Sequence, residues 1–249
     1  PVTVIISEKG WVRARTGHGH DPASFTFKAG DTLYRAFECR TVDTLLAFGS
    51  NGRVYSVPVA GLPGARGDGQ PVLTLIELEA GTQLLHYFAG PSQAQLLLSG
   101  SGGYGFIAHV GDMISRQRGG KAFITCNAGE TVCAPSSIGG TNGSVPVPEA
   151  THIACASTGG RLLTFPIGEL RTMPNGGRGL MLMSLEDKDV LIGAAAYTRS
   201  IRVQGTGRGG KPREETLEIR SLNNAAAARG RKGKAADWGF KPQRIRRIE

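Results

Sequence analysis

Helical periodicity is all but missing from this chain of 249 residues. Only Leu222 to Arg229, with its four alanines, reads as a helical turn or two. No apolar run approaches the ~18 residues of a bilayer-spanning helix, so no such helix is expected. Nothing at the start reads as a signal peptide. The chain opens on Pro1-Val2-Thr3, inside a strand-like stretch, as expected of a piece excised from a longer protein. Aromatic residues are scarce at 6%, and no aromatic motif of single-strand binders is visible. The four cysteines, Cys39, Cys126, Cys133 and Cys155, lack close-pair metal spacing. Their small or apolar neighbours suit buried free thiols in a reducing cytoplasm. Charge of one sign is lacking as well, except in one place. Residues 1–198 hold 15 basic and 15 acidic residues, whereas 199–249 hold 14 basic and 5 acidic, which is the entire net charge of +9. Such a block points to a polyanion, whether DNA, RNA or an anionic membrane surface.

Glycine, by contrast, is plentiful: 37 residues, roughly twice ordinary usage. The rest of the chain reads as short β-rich runs broken by glycine and proline. Examples are Val2–Ile6, Thr44–Phe48, Val72–Leu78, Leu84–Phe88, Gln95–Leu98, Phe106–Val110, Arg161–Phe165, Val190–Ile192 and Ser200–Val203. Such runs without intervening helices predict an all-β domain.

One pattern recurs along the chain. An apolar strand ends in a Gly-rich turn, a second strand follows, and an Arg-Gly element comes later. Leu45-Leu46-Ala47-Phe48 leads through Gly52 into Arg53-Val54-Tyr55 and on to Arg66-Gly67-Asp68-Gly69. Leu96-Leu97-Leu98 leads to Phe106-Ile107-Ala108 and Arg118-Gly119-Gly120-Lys121, and Ile153-Ala154-Cys155 leads to Arg161-Leu162-Leu163 and Arg178-Gly179. The opening copy, around Gly10, has no Arg-Gly element. The last copy is degenerate, with strands near Ile201-Arg202-Val203 and Thr216–Arg220 before Arg229-Gly230-Arg231-Lys232-Gly233. Taking Gly10, Gly52, Gly105 and Gly160 as the turn glycines gives spacings of 42, 53 and 55 residues. Five copies at this period predict a propeller-like array of blades.

Other motifs carry little. Gly100-Ser101-Gly102-Gly103-Tyr104-Gly105 fits a dinucleotide-binding glycine pattern, but a strand rather than a helix follows it. His18, His20 and Asp21 read as a polar loop rather than a metal site. No Ser/His/Asp, Cys/His or carboxylate-pair constellation stands out. The Arg-Gly elements are different. Glycine lets backbone approach a phosphate, and an adjacent Arg or Lys holds it. One such loop alone would read as a closed surface turn. Recurrence places Arg66, Arg118, Arg178 and Arg229 at equivalent positions on one rim. With the basic residues around them and in the last repeat, the candidates are Arg66, Arg116, Arg118, Lys121, Arg178, Arg202, Arg208, Lys211, Arg229, Arg231 and Lys232. Lys241 to Arg247 read either as a solvated, partly disordered tail or as further cations for the polyanion.

Several of these segments, in order, carry a family resemblance. They are Ser7-Glu8-Lys9-Gly10-Trp11-Val12-Arg13-Ala14, Gly17-His18, Lys28-Ala29-Gly30-Asp31, the Gly52-Arg53 hairpin with Leu62-Pro63 and Arg66-Gly67, Gly103-Tyr104-Gly105-Phe106, and Gly119-Gly120-Lys121-Ala122. Together the chain resembles the C-terminal domain of the ParC subunit of bacterial DNA topoisomerase IV, which is related to that of the DNA gyrase A protein. The resemblance implies an all-β, five-bladed β-pinwheel, a propeller-like fold whose blades exchange strands. It would fill the whole chain, with repeats near 1–41, 42–94, 95–151, 152–198 and 199–249. It also implies a basic perimeter that binds and bends duplex DNA without sequence preference.

By itself such a domain is not an enzyme. The cleavage tyrosine lies in the N-terminal region, so Tyr34, Tyr55, Tyr87, Tyr104 and Tyr197 carry no such role. No cofactor or metal is expected here, since Mg²⁺ and ATP are used elsewhere in the intact enzyme. Expected partners are duplex DNA, the N-terminal part of the same polypeptide, and the second topoisomerase IV polypeptide, the B protein, in a heterotetramer. The expected setting is the bacterial cytoplasm, at the nucleoid, with no membrane. Gyrase carries a Gln-Arg-Arg-Gly-Gly-Lys-Gly box in its first blade. Here Thr16–Thr26 occupies that region without it, and the nearest match, Arg116-Gln117-Arg118-Gly119-Gly120-Lys121-Ala122, lies in the third repeat. That favours relaxation and decatenation over wrapping. A gyrase-type wrapping domain and a protein-interaction propeller with a basic tail are the alternatives.

Overall fold

Short apolar runs, with nearly every residue buried, build the first strand of each of the early hairpins. In Val2–Ser7 and Trp11–Thr16 the side chains of Val4, Ile6 and Val12 are fully buried. Gly10, at φ +84°, takes the left-handed turn position that other residues reach only under strain. Equivalent hairpins recur at Thr44–Gly49 with Arg53–Pro58, Gln95–Ser99 with Tyr104–His109, His152–Ser157 with Arg161–Pro166, and Ser200–Thr206 with Pro212–Glu218. The computed structural model describes residues 1–142 and 145–248.

Each hairpin gains a third strand beside its first. Blade 1 adds Leu33–Cys39, blade 2 Leu84–Gly90, blade 3 Ser136–Ser137, blade 4 Leu191–Tyr197 and blade 5 Lys241–Arg247. Blades 1 to 4 then take a two-residue fourth strand on the outer side of the hairpin's second strand. These strands are Gln70–Pro71, Lys121–Ala122, Leu180–Met181 and Lys234–Ala235. In the chain, each follows the hairpin of the next blade, so the blades exchange strands. The five-bladed, all-β, strand-exchanged expectation is met.

Two compact units divide this array. One comprises Pro1–Ala94, His109–Phe123 and Thr141–Pro146, and contains blades 1 and 2. Its core joins Val4, Ile6, Val12 and Phe37 to Leu45, Ala47, Tyr55 and Tyr87. The other comprises Gln95–Ala108, Ile124–Gly140 and Val147–Glu249. There Leu97 and Ile107 pack with Ile153, Cys155 and Leu163, while Ala154, Ala156 and Tyr197 pack with Ile201, Val203, Leu217 and Ile245. Each large apolar side chain buried this way contributes about 1.5–3 kcal/mol against exposure.

Several local expectations are corrected. Val72–Leu78 is not a strand. Pairing stops at Pro71, and Val72–Thr74 forms a 3₁₀ turn that buries Val72 and Ile76 but leaves Leu73 53% exposed. The helix is displaced toward the N-terminus, to Ile219–Asn224 with Leu222 as its buried anchor. The alanines are spent on a close approach instead, with Ala225 accepting from the Thr164 N–H and Ala227 donating to its carbonyl. The strand placed at Thr216–Arg220 runs from Pro212 to Glu218 and gives way to this helix. In blade 3 the turn glycine is Gly103, at φ +92°, and Gly105 lies within the strand. Val190 lies outside its strand, which begins at Leu191. Lys241–Arg247 is no loose tail, because it pairs with Ser200–Thr206 as the third strand of blade 5.

Candidate nucleic-acid interface

The fourth strands explain the Arg-Gly elements. Gly69, Gly120, Gly179 and Gly233 each precede one of these strands, at φ +84°, +62°, +85° and +79°. A Cβ at any of them would lie on the carbonyl oxygen of Val12, Val54, Gly105 or Leu162 respectively. Glycine is therefore required twice over, by dihedral and by space. Beyond the strand, the next N–H donates to the hairpin glycine's carbonyl: Val72 to Gly10 at 2.8 Å, Phe123 to Gly52 at 3.1 Å, Leu182 to Gly103 at 2.7 Å, and Ala236 to Gly160 at 2.6 Å. Four distant segments thus dock in one manner, each delivering basic residues just before its glycine.

Which blade each segment serves could not be read from chain order. Arg66 leads into the fourth strand of blade 1, Arg116 and Arg118 into that of blade 2, Arg178 into that of blade 3, and Arg229, Arg231 and Lys232 into that of blade 4. The box-like Arg116–Ala122 therefore closes blade 2. Its counterpart in blade 1 is Arg66-Gly67-Asp68-Gly69-Gln70-Pro71, not Thr16–Thr26. Around His18 the loop is tied to its own sheet, with Nε2 hydrogen-bonded to the Cys39 carbonyl at 2.8 Å and Nδ1 3.7 Å from Glu38. His20 pairs with the Thr16 carbonyl, and Asp21 accepts from the Ala23 N–H.

The basic side chains divide by what they touch. Arg66, Arg116, Arg208, Lys211 and Arg231 are exposed and have no side-chain partner among the described residues. Arg118 is exposed and donates to the Thr74 carbonyl at 3.3 Å. Lys121 is half-buried, 5.8 Å from the Phe123 ring centroid. Arg178 lies 3.8 Å from the Tyr104 ring centroid and pairs with Glu130 at 3.0 Å. Arg229 donates to the Met181 carbonyl at 2.7 Å, and its buried Nε has no partner among the described residues. Lys232 pairs with Glu186 at 3.3 Å. Arg202 donates to Thr216 and faces Glu214 at 3.9 Å. The hairpin of blade 5 carries Arg202, Arg208 and Lys211, so these three do not share the fourth-strand position of the others.

Three arginines outside the candidate set hold the docked turns. Arg53 donates to the Gly119 and Gly120 carbonyls, both at 3.0 Å. Arg161 reaches the Gly233 carbonyl at 3.2 Å, and Arg13 donates to the Gly67 and Thr26 carbonyls. For Arg53 and Arg161 the signal was the Gly-Arg step in Gly52-Arg53 and Gly160-Arg161, two repeats apart; Arg13, after Val12, has no such step. In blades 1 and 3 an aromatic stands at the Arg53 position and takes a cation on its face, Lys28 on Trp11 and Arg178 on Tyr104.

Nothing nearby is activated for covalent chemistry. Cys39, Cys133 and Cys155 are buried and Cys126 is half-buried. Burial pushes the Cys39 and Cys133 thiols up to about 12, and raises Cys155 and Cys126 as well. Among the described residues, no group of three or more His, Cys, Asp or Glu side chains could hold a metal.

Comparison with known proteins agrees with this architecture. The family model for the DNA gyrase C-terminal domain, beta-propeller, matches residues 43–78 and 151–197. The A protein of DNA topoisomerase 4 from Neisseria gonorrhoeae is 39% identical over 238 residues, covering 94% of this chain and 30% of that protein. The chain thus spans about 30% of the length of such relatives. The E. coli ParC C-terminal domain superposes with a TM-score of 0.79 at 27% identity, covering 98% of this chain and 97% of that one. A DNA gyrase A C-terminal domain shares the fold, with a TM-score of 0.64 at 18% identity over 97% of this chain and 80% of that one. By sequence and by fold, the chain is similar to the C-terminal domain of topoisomerase IV ParC, and it shares the β-propeller fold of the DNA gyrase A C-terminal domain.

Proposed function

We propose that this domain binds duplex DNA without sequence preference and bends it over its basic turns. The observation that carries the reading is the repeated docking of an Arg-Gly segment. The same turn, in blades 1, 2 and 4, presents exposed Arg66, Arg116, Arg118, Arg231 and Lys232 beside glycine backbone. Side-chain cations and nearby backbone N–H groups suit phosphate oxygens, which carry no sequence information. Affinity then comes chiefly from counterion release. Bending 20–30 bp by 40–90° costs of order 1–6 kcal/mol, which a row of phosphate contacts can offset.

The segment closing blade 1 has one arginine and an aspartate, Arg66 and Asp68, where gyrase would carry its basic box. This supports a role in topoisomerase IV-type relaxation and decatenation over wrapping. In this reading the N-terminal part of the same polypeptide and the topoisomerase IV B protein supply cleavage, Mg²⁺ and ATP use, at the nucleoid in the cytoplasm.

Fluorescence anisotropy with a labelled duplex tests the proposal. If six to ten phosphates are neutralised, affinity falls roughly 10³- to 10⁵-fold between about 50 and 200 mM salt. Arg66→Glu, Arg116→Glu and Arg231→Glu, combined, leave circular dichroism unchanged and weaken binding strongly. Unaltered affinity in that variant would sink the DNA reading and favour a protein-interaction propeller.

A further inference from the structure

Among the described residues, blade 5 has no counterpart of the fourth strand that completes the other four. Its second hairpin strand, Pro212–Glu218, ends the sheet, and no strand pairs with its outer edge among the described residues. The register identifies the receiving residues. Irregularities after Ile6, Phe48, Ala156 and Gln204 align the blades. Opposite those residues stand Val12, Val54, Leu162 and Glu214. The residue before each is Trp11, Arg53, Arg161 and Arg213. Arg213 is thus the counterpart of the two arginines that hold docked glycine turns in blades 2 and 4. It is exposed, with no side-chain hydrogen bond or ion pair among the described residues.

Two further residues fit an occupant. Pro212 stands where Gly52 and Gly160 stand in their hairpins. Those glycines offer the fourth strand only a carbonyl, so the missing proline N–H removes nothing. Glu214 stands where Val54 and Leu162 do, and these face Lys121 and Lys234 across the ladder. An incoming lysine there would meet a carboxylate. Glu215 and Glu218 extend the acidic character of this strand inside the most basic fifth of the chain. Exposed charge and an edge proline also guard sheet edges against pairing. A guard, however, has no use for an arginine at the one position where the fold uses arginine to grip a turn.

We infer that the outer edge of blade 5 is a docking site for an extended segment of another protein, of the pattern basic-Gly-Lys-x-apolar. The pattern is that of the segments docked on blades 2 and 4, where Lys121 and Lys234 follow the glycine. In blades 1 and 3 Gln70 and Leu180 stand there, and the glycine and apolar end are what all four share. Gly120-Lys121-Ala122-Phe123 and Gly69-Gln70-Pro71-Val72 each end on a buried apolar side chain. Recognition is strand addition, with backbone hydrogen bonds along Arg213 and Glu214 and the Arg213 guanidinium on the glycine-turn carbonyls.

The probe is a fluorescent peptide, Arg-Gln-Arg-Gly-Gly-Lys-Ala-Phe-Ile, added to the full chain. Saturable binding is expected, with new hydrogen-exchange protection confined to Pro212–Glu218. Arg213→Ala should weaken it about tenfold without moving the melting temperature, since that side chain holds nothing in the free protein. Arg213→Lys should recover part of the loss. A peptide with its second glycine replaced by valine should not bind. Equal binding of a scrambled peptide, or protection elsewhere, would overturn the proposal by reducing it to charge attraction or to exchange into blade 2. Protection of this strand by duplex DNA instead of peptide would assign the edge to nucleic acid and also overturn it.

Discussion

Two adjacent glycines separate conformation from composition. Gly120 sits at φ +62° with no room for a Cβ against the Val54 carbonyl, whereas the space around Gly119 is open and its φ is not positive. Gly119→Ala should leave stability within ~0.5 kcal/mol. Gly120→Ala should cost about 1–3 kcal/mol or more, because strain and the lost strand dock together. At roughly 2–4 °C per kcal/mol for a chain of this size, thermal melts distinguish the two, and equal melting temperatures would contradict the docking geometry. The residue scale is also where the sequence was least informative about the candidate site. Arg66 and Arg178 look alike in it, yet one is exposed and the other is stacked on Tyr104 and paired with Glu130. What separates them is a partner about 50 to 75 positions away, which no local pattern encodes.

At the scale of strands, local information did well and long-range pairing did not. Hairpins were legible because the turn glycine and the two short apolar runs flanking it lie within about fifteen residues. The fourth strands are two residues long and were invisible as strands; only the glycine before them left a trace. Val72–Leu78 has the composition of a strand, but its buried residues, Val72 and Ile76, are four apart rather than two. The exchange makes a sharp prediction. A chain ending at Thr198 removes blade 5 and also Lys234–Ala235, which belongs to blade 4. Hydrogen exchange should then quicken at Arg161 and Leu162 while Arg53 and Val54, closed by Lys121–Ala122, stay protected. Undisturbed protection at Leu162 would argue against the pairing.

Across the whole molecule, buried thiols govern behaviour in alkali. Burial first, with Asp43 adding to it, pushes Cys39 up to about 12, and burial does the same for Cys133. Tyr87 is raised likewise to about 12. Between pH ~9, where unfolded thiols release their protons, and ~12 the folded chain holds more protons than the unfolded one. Stability is therefore full below pH ~9 and falls above it, by up to about 1.4 kcal/mol per pH unit for each thiol. Urea midpoints at pH 8, 9, 10 and 11 should show a plateau and then a decline, and a midpoint that held through pH 11 would contradict the burial of these groups. Charge has its own distribution at this scale. The +9 in 199–249 is carried partly by a structural strand, Lys241–Arg247, while Pro212–Glu218, on the other side of Ser200–Thr206, is rich in glutamate.

The interlaced strand order has a consequence during synthesis. When Cys39 leaves the ribosome, blade 1 has its first three strands, but the fourth waits for Gln70 and Pro71. By then the hairpin of blade 2 is out and is itself waiting for Lys121 and Ala122. Each blade is finished one step late, so an open edge travels along the nascent chain with every repeat. By Arg247 that edge has reached blade 5, where the outer side of Pro212–Glu218 is unpaired among the described residues.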